Sequence, residues 1–223
     1  MCKASKYGAL LWIVTSLAAA DVAGAATFQY GSYDLTNEQN IHITSPFTAD
    51  AGLGQIVLHG SGPNAGQTIL AWCLDIYNDL QSSGTYTVQP ITTAGTGGSN
   101  PPLTTTQIGQ IGALVSHGNA LISTDFNVSA AVQLALWEIE YSSFNSNGVN
   151  PTVAALAASY ITNVQNGTWA PNFNIALLTE RYNQSLVFVT PLPPTFVMFF
   201  SALAGLGGLL FRRQRRIAAT AGA

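Results

Sequence analysis

Two side chains far apart in the sequence frame the chemistry open to this chain, Cys73 and Gln133. Gln133 sits inside Ser129–Tyr141, where Val132, Ala135, Leu136 and Ile139 recur at helical spacing. Ala130, Ala131, Leu134 and Trp137 make the opposite side apolar as well. A helix apolar on nearly all sides is expected to be buried. A buried amide left without a partner costs about 1–3 kcal/mol. The candidate partner is Cys73, in the stretch Ala71-Trp-Cys-Leu-Asp-Ile-Tyr77. A thiolate is a good nucleophile, whereas an unactivated amide is a poor electrophile. Such a pair reacts only when held together, given a donor for the developing oxyanion and kept dry. Trp137, one turn after Gln133, supplies dryness. On an unbroken strand Asp75 shares a face with Cys73 and is the candidate proton shuttle. The plainer reading of Cys73 is a small buried hydrophobe.

The elements that must position this pair change type midway. From Thr27 to Asn100 the chain reads as β, with strands expected at Phe28–Tyr33, Gln39–Thr44, Gln55–His59, Thr68–Tyr77 and Thr85–Gln89. Gly60–Gly66 looks like a hairpin loop, and Thr93–Leu103, rich in Gly and Pro, like an exposed linker. Helical periodicity follows over Thr105–Ser116 and in the Gln133 helix, which Asn127 is placed to cap. Asn150-Pro151 opens a third helix running to about Val164. Asn172–Leu178 and Ser185–Thr190 read as closing strands. The expected fold is α+β, a β-rich sandwich or barrel-like domain with an inserted bundle of about three helices.

Composition limits the partners. Between Ala26 and Thr190 nine acids face one base, Arg181, for a net charge of −8. Nothing there would neutralise phosphates, so nucleic acid is excluded. The 26–190 segment holds no lysine, which rules out an internal Lys–Asn isopeptide bond. With Cys2 in the leader, Cys73 is the single thiol of the mature chain, excluding an internal disulfide and a multi-cysteine zinc site. His42, His59 and His117 show no metal-ligand spacing and read as surface residues, and no cofactor or metal is expected.

Both ends read as targeting segments. In residues 1–25, Lys3 and Lys6 precede the short apolar stretch Gly8–Ala20 and an Ala23-Gly-Ala25 cleavage site, the pattern of a signal peptide. Residues 190–223 hold Pro191-Leu192-Pro193-Pro194, the uncharged apolar run Thr195–Phe211, and Arg212, Arg213, Arg215 and Arg216. The run is at the short end of what spans a bilayer as a transmembrane helix, and the arginines set it with the domain outside.

Proline motif, apolar helix and arginine cluster in that order resemble the PEP-CTERM sorting signal, in a variant similar to Val-Pro-Leu-Pro. That resemblance implies a Gram-negative bacterium, export across the inner membrane, transient anchoring, and recognition by an exosortase on the way to the cell surface or extracellular matrix. The Cys73 and Gln133 stretches together resemble the Cys–Gln thioester domains of bacterial surface adhesins. There a Tyr-Cys-like strand segment meets a Thr-Gln-x-Ala-Ile-Trp helix segment, and here the counterparts are Trp72-Cys-Leu-Asp75 and Val132-Gln-Leu-Ala-Leu-Trp137. The resemblance covers residues 26–189. It implies an internal Cys73–Gln133 thioester that couples covalently to a partner's amine, supported by Trp72, Asp75 and Trp137.

The expectation is therefore a non-enzymatic surface or matrix protein that bonds an amine-bearing component. Its alternative is a non-covalent structural component of surface or biofilm matrix, with Cys73 a buried thiol. A polysaccharide hydrolase using Asp75, Asp79, Glu138 and Glu140 ranks below both, because no flanking pattern supports those carboxylates. Glu138 and Glu140 read more simply as a solvated helix edge.

Overall fold

A computed structural model describes residues 26–93, 102–122 and 125–190. The leader, the proline motif, the apolar run, the arginine cluster and most of the expected linker lie outside these. No helix of the described residues is long and apolar enough to cross a membrane.

The chain runs β1 (Thr27–Ser45), β2 (Ala49–Gly60), β3 (Thr68–Cys73), β4 (Gly84–Pro90), α1 (Thr105–Leu121), α2 (Phe126–Glu140), β5 (Asn145–Asn147), α3 (Pro151–Gln165), β6 (Ile175–Thr179) and β7 (Leu186–Val189). The seven strands form one antiparallel sheet in the order β2-β3-β7-β6-β4-β1-β5. Because β1 also pairs with β2, six of them close into a ring, and β5 hangs on the end of β1. Of the two expected architectures, the barrel-like one is found, since closure leaves six strands without a free edge.

β1 is one long strand where the sequence reads as two. Two register shifts against β2, at Tyr30/Ser32 and Thr36/Gln39, each add a residue to β1. Asn37, at φ 54°, sits in the second. Asparagine tolerates this left-handed backbone, so the polar Thr36–Asn40 stretch is a bulge rather than a turn. β3 stops at Cys73, short of the expected Tyr77. There Asp75 accepts a hydrogen bond from the Tyr77 amide at 2.8 Å, an Asx-turn that takes the chain out of the sheet. The expected hairpin loop does join β2 to β3 and carries a single 3₁₀ turn.

The three helices enter between β4 and β6, as expected. α1 opens on a reciprocal Thr104–Gln107 capping box and runs beyond Ser116 to Leu121. Gly118, in this extension, is a packing site. A Cβ there would stand 2.7 Å from a methyl of Val132, so only glycine lets α1 come this close to α2. α2 is capped by Asp125, whose side chain accepts from the Asn127 amide at 2.8 Å, so Asn127 is not the cap. α3 follows its sequence signal, Asn150 capping and Pro151 leading. α2 packs against α1, α3, β1 and β2, and twelve of its fifteen residues are buried, as its apolar circumference requires.

Candidate functional site

Cys73 is the last residue of β3. On one side it pairs with Leu186 of β7, while the pairing with β2 has already ended at Ala71. Past that point the backbone of Cys73 needs other partners. α2 supplies them. Gln133, fully buried, accepts from the Cys73 amide at 2.9 Å through Oε1 and donates to the Cys73 carbonyl at 2.8 Å through Nε2. Trp137 Nε1 donates to the same carbonyl at 3.1 Å. One turn before Gln133, Ser129 bridges a second seam, where β1 bulges away from β2. Its Oγ accepts from the Gln55 amide at 2.7 Å and donates to Thr36 O at 2.6 Å. The polar side chains of α2 thus partner backbone groups that the sheet leaves open at two places, which explains their position in an apolar helix.

The segment after Cys73 is held just as tightly. The amides of Leu74 and Asp75 both donate to Ser185 O. Tyr141 Oη donates to Leu74 O at 3.2 Å, and Gln184 Nε2 donates to Asp75 O at 3.0 Å. The thiol itself donates to Asp75 O at 3.0 Å. Burial pushes the Cys73 thiol well above its ordinary pKa, and charge on Glu140 or Asp75 adds to this, so the sulfur carries its proton at neutral pH.

The expected site residues divide. Cys73, Gln133 and Trp137 meet directly. Trp72 is buried, but its Nε1 donates to Asn119 Oδ1 at 3.0 Å and ties β3 to α1. The Asp75 carboxylate is occupied by the Tyr77 amide and the Asn78 side chain, so the thiol meets the carbonyl of Asp75 rather than a carboxylate able to take its proton. Glu138 is exposed, as a helix edge should be, but Glu140 is 3% exposed and belongs to the interior. Ser129, Tyr141 and Gln184 were not marked by the sequence, and Glu140 was marked only as a hydrolase carboxylate or a solvated edge. The one available signal was spacing, since Ser129, Gln133, Trp137 and Glu140 recur along one helical stripe.

An open pocket of about 480 Å³ reaches Cys73 and Trp137. Its walls include Phe47 and Tyr77, stacked with centroids 4.9 Å apart, and the carboxylate-bearing Glu38 and Asp79. The arrangement therefore joins a buried thiol, a carboxamide whose carbonyl already accepts an N–H donor, and a route from solvent. Among the described residues no group of His, Cys, Asp and Glu is placed to hold a metal ion, and the three histidines are at least partly exposed.

No protein-family model and no curated protein matches the chain. Among solved structures, it is similar to the N-terminal thioester domain of a surface protein from Clostridium perfringens. That match has a TM-score of 0.45 and 11% identity over 60% of this chain and 87% of the other. It is also similar to the thioester domain of the Staphylococcus aureus TIE protein, with a TM-score of 0.40 and 9% identity over 74% and 76% of the two chains.

Proposed function

We propose that this is an exported surface domain that forms a thioester between Cys73 and Gln133 and then bonds an amine on a partner. The reciprocal hydrogen bonding of Gln133 with the Cys73 backbone carries the proposal. In the first step Sγ bonds to the side-chain carbonyl carbon of Gln133, the C–N bond breaks, and the thiol proton leaves with the nitrogen as ammonia. The Cys73 amide already donates to the oxygen on which charge would develop, so no reorganisation is needed there. In the second step an amine takes the acyl group and the thiol is regenerated. The acidic and aromatic walls of the pocket suit an amine arriving as an ammonium ion. Each chain would act once, as a covalent binder rather than an enzyme with turnover.

Incubation with a biotinylated alkylamine tests this. Label should map to Gln133 and an alkylatable thiol should appear at Cys73. Absence of label, with Cys73 alkylatable from the outset once unfolded, would reject covalent binding. A second reading rests on the unreacted arrangement, in which both polar atoms of the amide and the sulfur already have partners. In it the pair is a structural clamp, and the protein is a non-covalent surface or matrix component.

Delivery belongs to the same proposal. Residues 1–25 direct export, and residues 190–223 hold the chain in the inner membrane until an exosortase acts at the Pro191–Pro194 motif. Replacing Arg212, Arg213, Arg215 and Arg216 together with alanine should lower the surface-exposed fraction in protease-shaving experiments. Unchanged surface display would remove the sorting role of the arginines.

A further inference from the structure

Glu140 is a buried acid with no assigned task. Its Oε2 has no hydrogen-bond partner among the described residues. A carboxyl group kept in that state costs stability, and such a group is retained for a reason other than folding. Its position supplies one. Gln133, Trp137 and Glu140 follow at i, i+4 and i+7 along α2, and the first two touch Cys73. Tyr141, the next residue, reaches the carbonyl of Leu74. The Cys73 thiol is turned along the chain toward Asp75, where it donates to the carbonyl. Charge on Glu140 would raise the thiol more than charge on Asp75 does, and Asp75 in turn favours the neutral form of Glu140. The Asp75 carboxylate is occupied elsewhere, leaving Glu140 as the acid on this stripe with an unpartnered buried oxygen.

We propose that Glu140 is the proton relay for thioester formation and for its aminolysis. The inference rests on the thioester reading above. Neutral Glu140 takes the thiol proton on one carboxyl oxygen and gives the proton of the other to the Gln133 nitrogen. Sulfur–carbon bonding replaces carbon–nitrogen bonding, ammonia leaves, and the acid ends neutral. In the coupling step the same relay moves a proton from the attacking amine to the sulfur. A neutral acid serves both directions without placing a charge in a dry site, which a carboxylate base would not.

The test uses the full chain in three forms, wild type, Glu140→Gln and Glu140→Asp. Each is treated with concentrated ammonia, which reopens the thioester to thiol and amide. After the ammonia is removed, intact mass follows its second loss with time. The relay predicts that Glu140→Gln, equal in size but unable to accept a proton, slows this step by about 100-fold or more. It also predicts that Glu140→Asp retains more rate than Glu140→Gln. A packing role predicts the reverse order, because Gln keeps the shape that Asp loses. Circular dichroism confirms that each variant is folded, and a variant that fails to fold is replaced by Glu140→Met, expected to behave as Glu140→Gln. A wild-type thioester with Glu140→Gln at wild-type rate overturns the relay alone. A wild-type chain that never loses ammonia overturns the relay and the thioester reading together.

Discussion

At the scale of the residue, Gln133 does two tasks with one carboxamide. Its removal in Gln133→Ala leaves the Cys73 amide and carbonyl short of partners in the interior. We expect a loss of about 1–3 kcal/mol, measured by urea unfolding in a Cys73→Ser background so that no thioester contributes. A loss indistinguishable from zero would contradict the clamp. Glu140 gives a second prediction. Burial, reinforced by Asp75, raises its carboxyl well above the usual 4.5. The folded state then binds the proton more tightly than the unfolded one. Its stabilising share is whole below pH 4.5 and is lost as pH rises through the folded value. In the same background, urea midpoints between about pH 4 and 9 should fall more steeply with pH for Glu140 than for Glu140→Gln. Parallel curves would show that Glu140 does not hold its proton on folding. Sequence logic reached Gln133 and Trp137, because a lone amide in an apolar helix demands a partner. It could not show that the amide would meet the backbone of Cys73, since that depends on where β2 stops pairing. It misplaced Glu140, because an acid near a helix end is solvated unless other elements cover it.

At the scale of the element, α2 is held at its N-terminus and from one side. Asp125 caps it, and Asp125→Ala should cost about 1 kcal/mol, seen as a lowered urea midpoint. Gly118 sets its distance from α1. In Gly118→Ala the new methyl meets Val132, and overpacking of this kind costs about 1–3 kcal/mol. The same shift would draw Gln133 off Cys73, so ammonia loss should slow as well. A variant with unchanged stability would show that α1 yields to the methyl without strain. Helix positions were legible because caps and 3.6-residue periods are local signals, most clearly at Asn150-Pro151. The continuity of β1 was not, since a bulge at Asn37 and a turn there have the same polar composition. β5 was missed entirely. Asn145–Asn147 has no apolar alternation and is a strand only because β1 offers its edge.

At the scale of the molecule, barrel and helical insert depend on each other most closely at the end of β3. The ring of strands closes, yet β2 leaves β3 before Cys73, and Gln133 and Trp137 of α2 complete that gap with side chains. That gap produces a buried thiol–amide pair whose cysteine lines an open pocket. The absence of lysine from residues 26–190 agrees with such a bond, which a neighbouring amine would consume. The most direct measurement is the intact mass of the purified protein with and without methylamine. The account predicts a mass one ammonia below that required by the sequence, a gain of one methylamine on treatment, and neither change in Cys73→Ala or Gln133→Ala. A full mass with a free Cys73 thiol, unaffected by methylamine, would contradict the thioester and leave the Cys73–Gln133 clamp as structure alone.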